Sequence, residues 1–281
     1  MEIVLALGSA LAYGISDFTG GVLSKRAHVF TVILVSQLVS SAFLLIALPF
    51  WDGSFSWEAL QWGAAAGLAG MTGAALLYRG LAIGRMGVVA PITAVLAAAI
   101  PLAFALAVGE RPGLTALIGV VVGLIAVVLV SSSADAAAAK TSARFGGSGV
   151  AEALGAGVGF GLFFILLERT PHESGLWPLA GARVSMIALV VLLVAIARAP
   201  ARPPAGMGGT LVLLGVTNLG ADLLFLLATR TGLLSLVAVI TSLYPAATVA
   251  LARVVLDERM VKQQLVGVVC AAFSVALIAL R

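Results

Sequence analysis

Residues 92–111, ITAVLAAAIPLAFALAVGER, and residues 240–259, ITSLYPAATVALARVVLDER, decide the fold. They align without gaps at an offset of 148, and both close on a Glu-Arg pair, Glu110-Arg111 and Glu258-Arg259. Carried on to Arg281, the alignment holds 12 identities over 42 positions, among them Gly119 on Gly267. Each copy is an apolar run of the length a membrane span needs, since a hydrocarbon core of ~30 Å takes about 20 residues of helix. An apolar span that recurs in phase with a charged end implies a duplicated membrane unit.

Working outward, ten such runs lie near 3–23, 29–50, 58–80, 86–108, 113–132, 149–168, 176–197, 207–229, 232–256 and 262–280. Short polar stretches join them, such as Ser24-Lys25-Arg26-Ala27-His28 and Gly109-Glu110-Arg111-Pro112-Gly113. The first run starts with Glu2 and holds Asp17, so it is expected to remain in the membrane rather than act as a cleaved signal. A linker at 134–148, rich in Ala and Ser, separates a first unit at 1–133 from a second at 149–281. Five spans per unit is an odd number, so the second unit crosses the membrane in the opposite sense. The fold class expected is an all-α polytopic membrane protein, an inverted five-plus-five repeat around a central cavity. Secondary transporters often use this design, with cargo bound near the midplane between the halves.

Composition agrees. Of the 281 residues, 62% are hydrophobic and 10% charged, with mean hydropathy +1.17, whereas soluble domains run near 25% charged. Cys270 is the one cysteine, which excludes a disulfide scaffold. The net charge of +4 comes from basic residues scattered through connections, a pattern of anchoring at a membrane surface and not of nucleic-acid binding. Three Lys against thirteen Arg, amid abundant Ala, Gly, Val and Leu, suggests a high-GC bacterial coding sequence and hence a bacterial plasma membrane.

Charge inside a bilayer costs from roughly 2.5 to more than 10 kcal/mol, so each polar residue within a span needs a reason. Span 1 carries Ser9, Tyr13, Ser16, Asp17 and Gly20 at helical spacing; span 2 carries Ser36, Gln37, Ser40 and Ser41. Span 7 holds Arg183; span 8 holds Asn218 and Asp222, one turn apart; span 9 holds Thr241, Tyr244, Pro245 and Thr248. One reading directs these stripes to a common cavity, with Asp222 or Asp17 titrating to couple cargo to protons. The other makes Arg183 and Asp222 or Asp17 a buried pair that locks helices together. Arg183 could also receive the carboxylate of an anionic cargo. Tyr13, Tyr78 and Tyr244 read as interface or packing aromatics, with cargo walls the alternative. Pro101 and Pro245, each inside a span, are expected to bend their helices and mark the gating elements. Glu110-Arg111 and Glu258-Arg259, at span ends, are expected to anchor at the interface. The glycines at 155, 157, 159 and 161 lie within a span and read as close helix packing rather than a phosphate cradle.

Catalytic chemistry has little to stand on. His28 and His172 sit in separate connections without metal-ligand spacing, and Cys270 has no basic neighbour to activate it. No metal and no cofactor is expected.

Leu11-Ala12-Tyr13-Gly14-Ile15-Ser16-Asp17-Phe18, Tyr78-Arg79-Gly80-Leu81-Ala82 and Ser242-Leu243-Tyr244-Pro245, with the paired Glu-Arg endings, resemble the EamA type of the drug/metabolite transporter superfamily. The likeness covers nearly the whole chain. It implies a basket of spans 1–4 and 6–9 around a central cavity, with spans 5 and 10 peripheral. It also implies a carrier for small metabolites, often an exporter of amino acids or toxic compounds, with proton exchange a common coupling. Cargo contacts are then expected at Tyr13, Asp17, Gln37, Tyr78, Arg183, Asn218, Asp222 and Tyr244. The partners expected are a small-molecule cargo, the lipid bilayer and protons, with monomer and homodimer both open. Proton-coupled export by alternating access is the function expected; the alternative is a membrane enzyme or lipid-handling protein without solute transport. One departure concerns orientation: the family places both termini in the cytoplasm, yet the connection 50–58 has no basic residue, and eleven of the sixteen Lys and Arg fall on the odd-numbered side. The positive-inside rule would put both termini outside, so the orientation stays open between the two patterns.

Overall fold

A computed structural model describes residues 1–24, 26–83, 86–131, 149–200, 202–255 and 262–280. The side chains at 78, 81–83, 86–88, 90, 91, 131, 252 and 253 also lie outside the description. Tyr78, and the Glu258-Arg259 ending, therefore fall beyond the described residues.

Ten spans run as α1 (Glu2–Ser24), α2 (Val29–Ala47), α3 (Trp57–Ile83), α4 (Met86–Ala107), α5 (Leu114–Ser131), α6 (Val150–Glu168), α7 (Trp177–Ala197), α8 (Gly208–Thr231), a ninth span in two pieces, α9 (Leu234–Thr241) and α10 (Tyr244–Val255), and α11 (Lys262–Ala279). Apolar helix is what these sequences must form: in hydrocarbon, every backbone amide has to find its partner within the segment. Seven spans among the described residues are at least 18 residues long and apolar enough to cross unaided. Many large apolar side chains point outward, Leu45, Val184, Ile196, Val254 and Phe273 among them, as a lipid-facing surface requires.

The two halves interlock instead of lying side by side. In the first half, α3 packs on α6 and α7, and α4 on α6; in the second, α8 packs on α1 and α2, and α9 with α10 on α1. These pairings exchange when each span is replaced by its repeat mate. Helices α2 and α7 meet each other across the pseudo-two-fold, as do α5 and α11 at the periphery. Arg79 near the end of α3 reaches Glu152 at the start of α6 at 3.5 Å, and Gly80 packs on the same Glu152. On the opposite face, Gly232 after α8 packs on Glu2 at the start of α1. Helix α6 therefore starts where α3 ends, and the repeat is inverted. We call the face holding the start of α1 and the end of α11 face A, and the opposite one face B.

Glycine sets the spacing of the tightest contacts. A methyl group at Gly63 would lie 2.0 Å from the Pro178 carbonyl oxygen, and one at Gly67 would lie 2.3 Å from that of Ala182. Gly159 packs on Gly73, and Gly157 on Leu96 and Thr93, so the glycine run of α6 packs helices together. Between helices, the Ser9 hydroxyl donates to the Ala221 carbonyl at 2.8 Å, and Ser40 to that of Gly215 at 2.6 Å. Gly63→Val should force α3 from α7 and lower stability by about 1–3 kcal/mol; thermal unfolding in detergent, compared with Gly21→Val at a site open on that side, measures it.

The two mid-span prolines behave differently. The ninth span is interrupted after Thr241, and Pro245 stands in the first turn of α10, where a missing N–H is harmless. Helix α4 runs unbroken through Pro101, against the expectation of a matched pair of breaks. A proline deprives the carbonyl four residues earlier of its partner. For Pro245 that residue is Thr241, at the end of α9; for Pro101 it is Ala97, which lines a cavity.

Candidate functional site

Helices α1, α2, α3, α4, α6, α7, α8 and α10 enclose a cavity of about 150 Å³. Its polar lining is Tyr13, Ser16, Asp17, Ser36, Gln37, Asn218, Asp222 and Tyr244; its apolar wall includes Met71, Phe160, Phe163, Phe164 and Met186. At ~1.5 Å of rise per residue, Val32, Leu214 and Asp17 lie within roughly 5–10 Å of the face B ends of their helices. Of the lining residues Asp17 is the exposed one, while Val32, Leu214, Phe163, Phe164 and Met186 are buried. Asp17 lies seven residues before the face B end of α1, which places the accessible part of the cavity on the face B side.

Its floor is a polar network fixed by Arg183, whose side chain is 3% exposed. The Arg183 Nη2 donates to Asp222 Oδ2. The Nη1 donates to Gln37 Oε1 at 2.5 Å and to Asn218 Oδ1 at 3.0 Å. The Tyr13 hydroxyl donates to the other Asp222 oxygen, Oδ1, at 2.5 Å. Four helices (α1, α2, α7 and α8) are thereby tied at one guanidinium. Charge explains the arrangement: a lone cation or carboxylate at this depth is expensive, and a paired, hydrogen-bonded one is tolerable. The Arg183 Nε has no partner among the described residues.

Two consequences bear on chemistry. Arg183 occupies the oxygen ends of Gln37 and Asn218, so their amide N–H groups, unpartnered among the described residues, are the ends left to face the cavity. Asp17, on the same wall, has no hydrogen-bond or ion-pair partner among the described residues. The site thus offers amide donors, a carboxylate and an aromatic wall, in which Tyr13 stands 6.3 Å from both Phe164 and Tyr244, and Phe164 stacks on Phe225 at 4.4 Å.

Of the residues expected from sequence, Tyr13, Asp17, Gln37, Asn218, Asp222 and Tyr244 line this one cavity. Arg183 lies outside the lining, hydrogen-bonded to Gln37, Asn218 and Asp222. Pro101 is buried in α4 and Pro245 half-buried at the start of α10. Glu110 departs from the expectation of an interfacial anchor: its Oε1 accepts from Leu234 N at 2.8 Å, and its Oε2 from Ser235 N at 3.0 Å and Ser235 Oγ at 2.5 Å. It caps a helix of the other repeat, a pairing across 124 positions that no local sequence signal announces.

An inverted two-repeat membrane fold around a polar cavity open to one face defines a membrane transporter. The chain belongs to the EamA-like transporter family, whose model matches residues 1–132 and 147–280, and with it to the drug/metabolite transporter superfamily. A solved crystal structure matches 99% of this chain and 96% of its own with a TM-score of 0.72 at 17% identity, which supports the fold. No curated protein matches the chain.

Proposed function

We propose that this chain is a secondary active transporter that moves a small organic metabolite across a bacterial plasma membrane by alternating access. The moving bodies are the packed groups α3, α4, α6 and α7 on one side and α1, α2, α8, α9 and α10 on the other, each drawn from both units, 1–133 and 149–281. The observation that carries the reading is the cavity itself, polar on one wall and aromatic on the other, open to face B and floored by the Arg183 network. Asp17 is the coupling carboxylate, because it faces the open cavity without a protein partner and can exchange protons with the bathing solution. Asp222, held by Arg183 and Tyr13, keeps the floor assembled.

Direction follows from charge. In the sequence the odd-numbered connections and adjoining span ends hold eleven of the sixteen Lys and Arg, the described helix ends on that side form face B, and short cytoplasmic connections are the basic ones. With face B in the cytoplasm, the cavity loads from inside and the transport is export.

Counterflow in proteoliposomes tests the carrier reading. Vesicles preloaded with unlabelled cargo should take up labelled cargo transiently above equilibrium, and the rate should saturate. Linear, unsaturated flux would indicate a channel, and a chemically altered solute an enzyme; either result overturns the proposal.

A further inference from the structure

Helix α9 begins on the face A side, and Glu110 caps its first turn. All eight residues of α9 are buried, and the helix packs among α1, α4, α5 and α8, between the face A turn Gly232-Leu233 and Tyr244 at the cavity. Its N-terminus has no side-chain cap from the residue before it, Leu233. Glu110, in the connection after α4 of the other repeat, supplies the cap with both carboxylate oxygens, satisfying two backbone amides and the Ser235 hydroxyl. A carboxylate suits that position because unpaired N–H groups and the helix dipole both favour negative charge there. At its other end α9 meets α10 through the turn at 242–243, where the buried hydroxyls of Thr241 and Ser242 have no hydrogen-bond partner among the described residues. The helix is thus clamped at one end and jointed at the other. Outside it, the turn Gly232-Leu233 forms part of a separate depression on face A, lined also by Glu168, His172, Thr229, Arg230 and Thr231.

We propose that Glu110 is the latch of the face A gate: its three hydrogen bonds to Leu234 and Ser235 hold α9 across the exit, and parting them is the step that opens the cavity to face A. The latch joins the connection after α4, in the group of α3, α4, α6 and α7, to α9, in the group of α1, α2 and α8, so a rocking motion of one group against the other is what separates Glu110 from α9. This inference rests on the alternating-access reading.

The test places a single cysteine at Ser242, behind the gate and fully buried, in a Cys270→Ala background, and measures labelling by a membrane-impermeant maleimide applied from face A in proteoliposomes. With Glu110 present, labelling should be slow. Glu110→Gln exchanges one acceptor oxygen for an amide that confronts backbone donors, and labelling should accelerate about ten-fold or more. Ser235→Ala, which removes one of the three bonds and leaves the carboxylate, should produce a smaller rise in the same direction, and it keeps the test valid if Glu110→Gln does not fold. Equal labelling rates in all three proteins would overturn the latch. Counterflow on the same vesicles separates the two readings: flux with unchanged labelling removes the latch alone, whereas faster labelling without saturable flux supports the latch and counts against the carrier.

Discussion

Arg183→Met should be the most destabilising single substitution in the cavity floor, lowering stability by about 3–5 kcal/mol. Arg183 satisfies Asp222, Gln37 and Asn218 at once. Its loss leaves Asp222 a buried carboxylate with Tyr13 as its remaining donor, and leaves two amide oxygens unmatched. Methionine fills similar volume, so the penalty isolates charge and hydrogen bonding from packing. The double variant Arg183→Met/Asp222→Leu should recover most of the loss, because a buried pair replaced on both sides by apolar groups is often neutral in cost. Thermal unfolding of the three proteins in one detergent measures both effects. A double variant as unstable as Arg183→Met would show that Arg183 acts through its contacts with Gln37 and Asn218, not through its pairing with Asp222.

The second large effect concerns Asp17. An imposed pH gradient can hold cargo out of equilibrium only if a proton is carried in the cycle, each unit of pH sustaining about a ten-fold cargo gradient per proton, since one such unit is worth roughly 1.4 kcal/mol. Asp17→Asn keeps the shape and hydrogen-bonding capacity of the side chain but carries no titratable proton. Uphill accumulation should fall from that ratio to about one, while counterflow, which needs no net proton movement, continues. Asp222→Asn acts differently: it leaves Arg183 a buried cation without its carboxylate, and should lower stability as well as flux. Accumulation unchanged in Asp17→Asn would remove the coupling role from that residue.

Much of this molecule is legible in its sequence, for a physical reason. Hydrocarbon demands long apolar helices, so span positions follow from hydropathy, and the inversion follows from an odd number of spans per repeat. The cost of burying charge likewise singled out Asp17, Arg183 and Asp222 one at a time. Their partnership was harder to read. Whether Arg183 meets Asp222 or Asp17 depends on the rotation of α7 against α8 and α1, which glycine contacts such as Gly67 on Ala182 and Gly215 on Ser36 set in three dimensions. The prolines show the same limit: Pro101 and Pro245 read alike, yet the break occurs where short hydroxyl residues, Thr241 and Ser242, precede the proline. Glu110 was least legible, since a charge at a span end is equally satisfied by interfacial water, and only the assembled fold brings α9 to it.

The measurement that tests the account most directly is solute flux in proteoliposomes under an imposed pH gradient, across labelled amino acids, sugars and organic cations, with wild type and Asp17→Asn compared side by side. Wild type should accumulate at least one of these solutes saturably above equilibrium, and Asp17→Asn should exchange that solute without accumulating it. A solute that both proteins accumulate equally, or whose flux never saturates, would contradict the account.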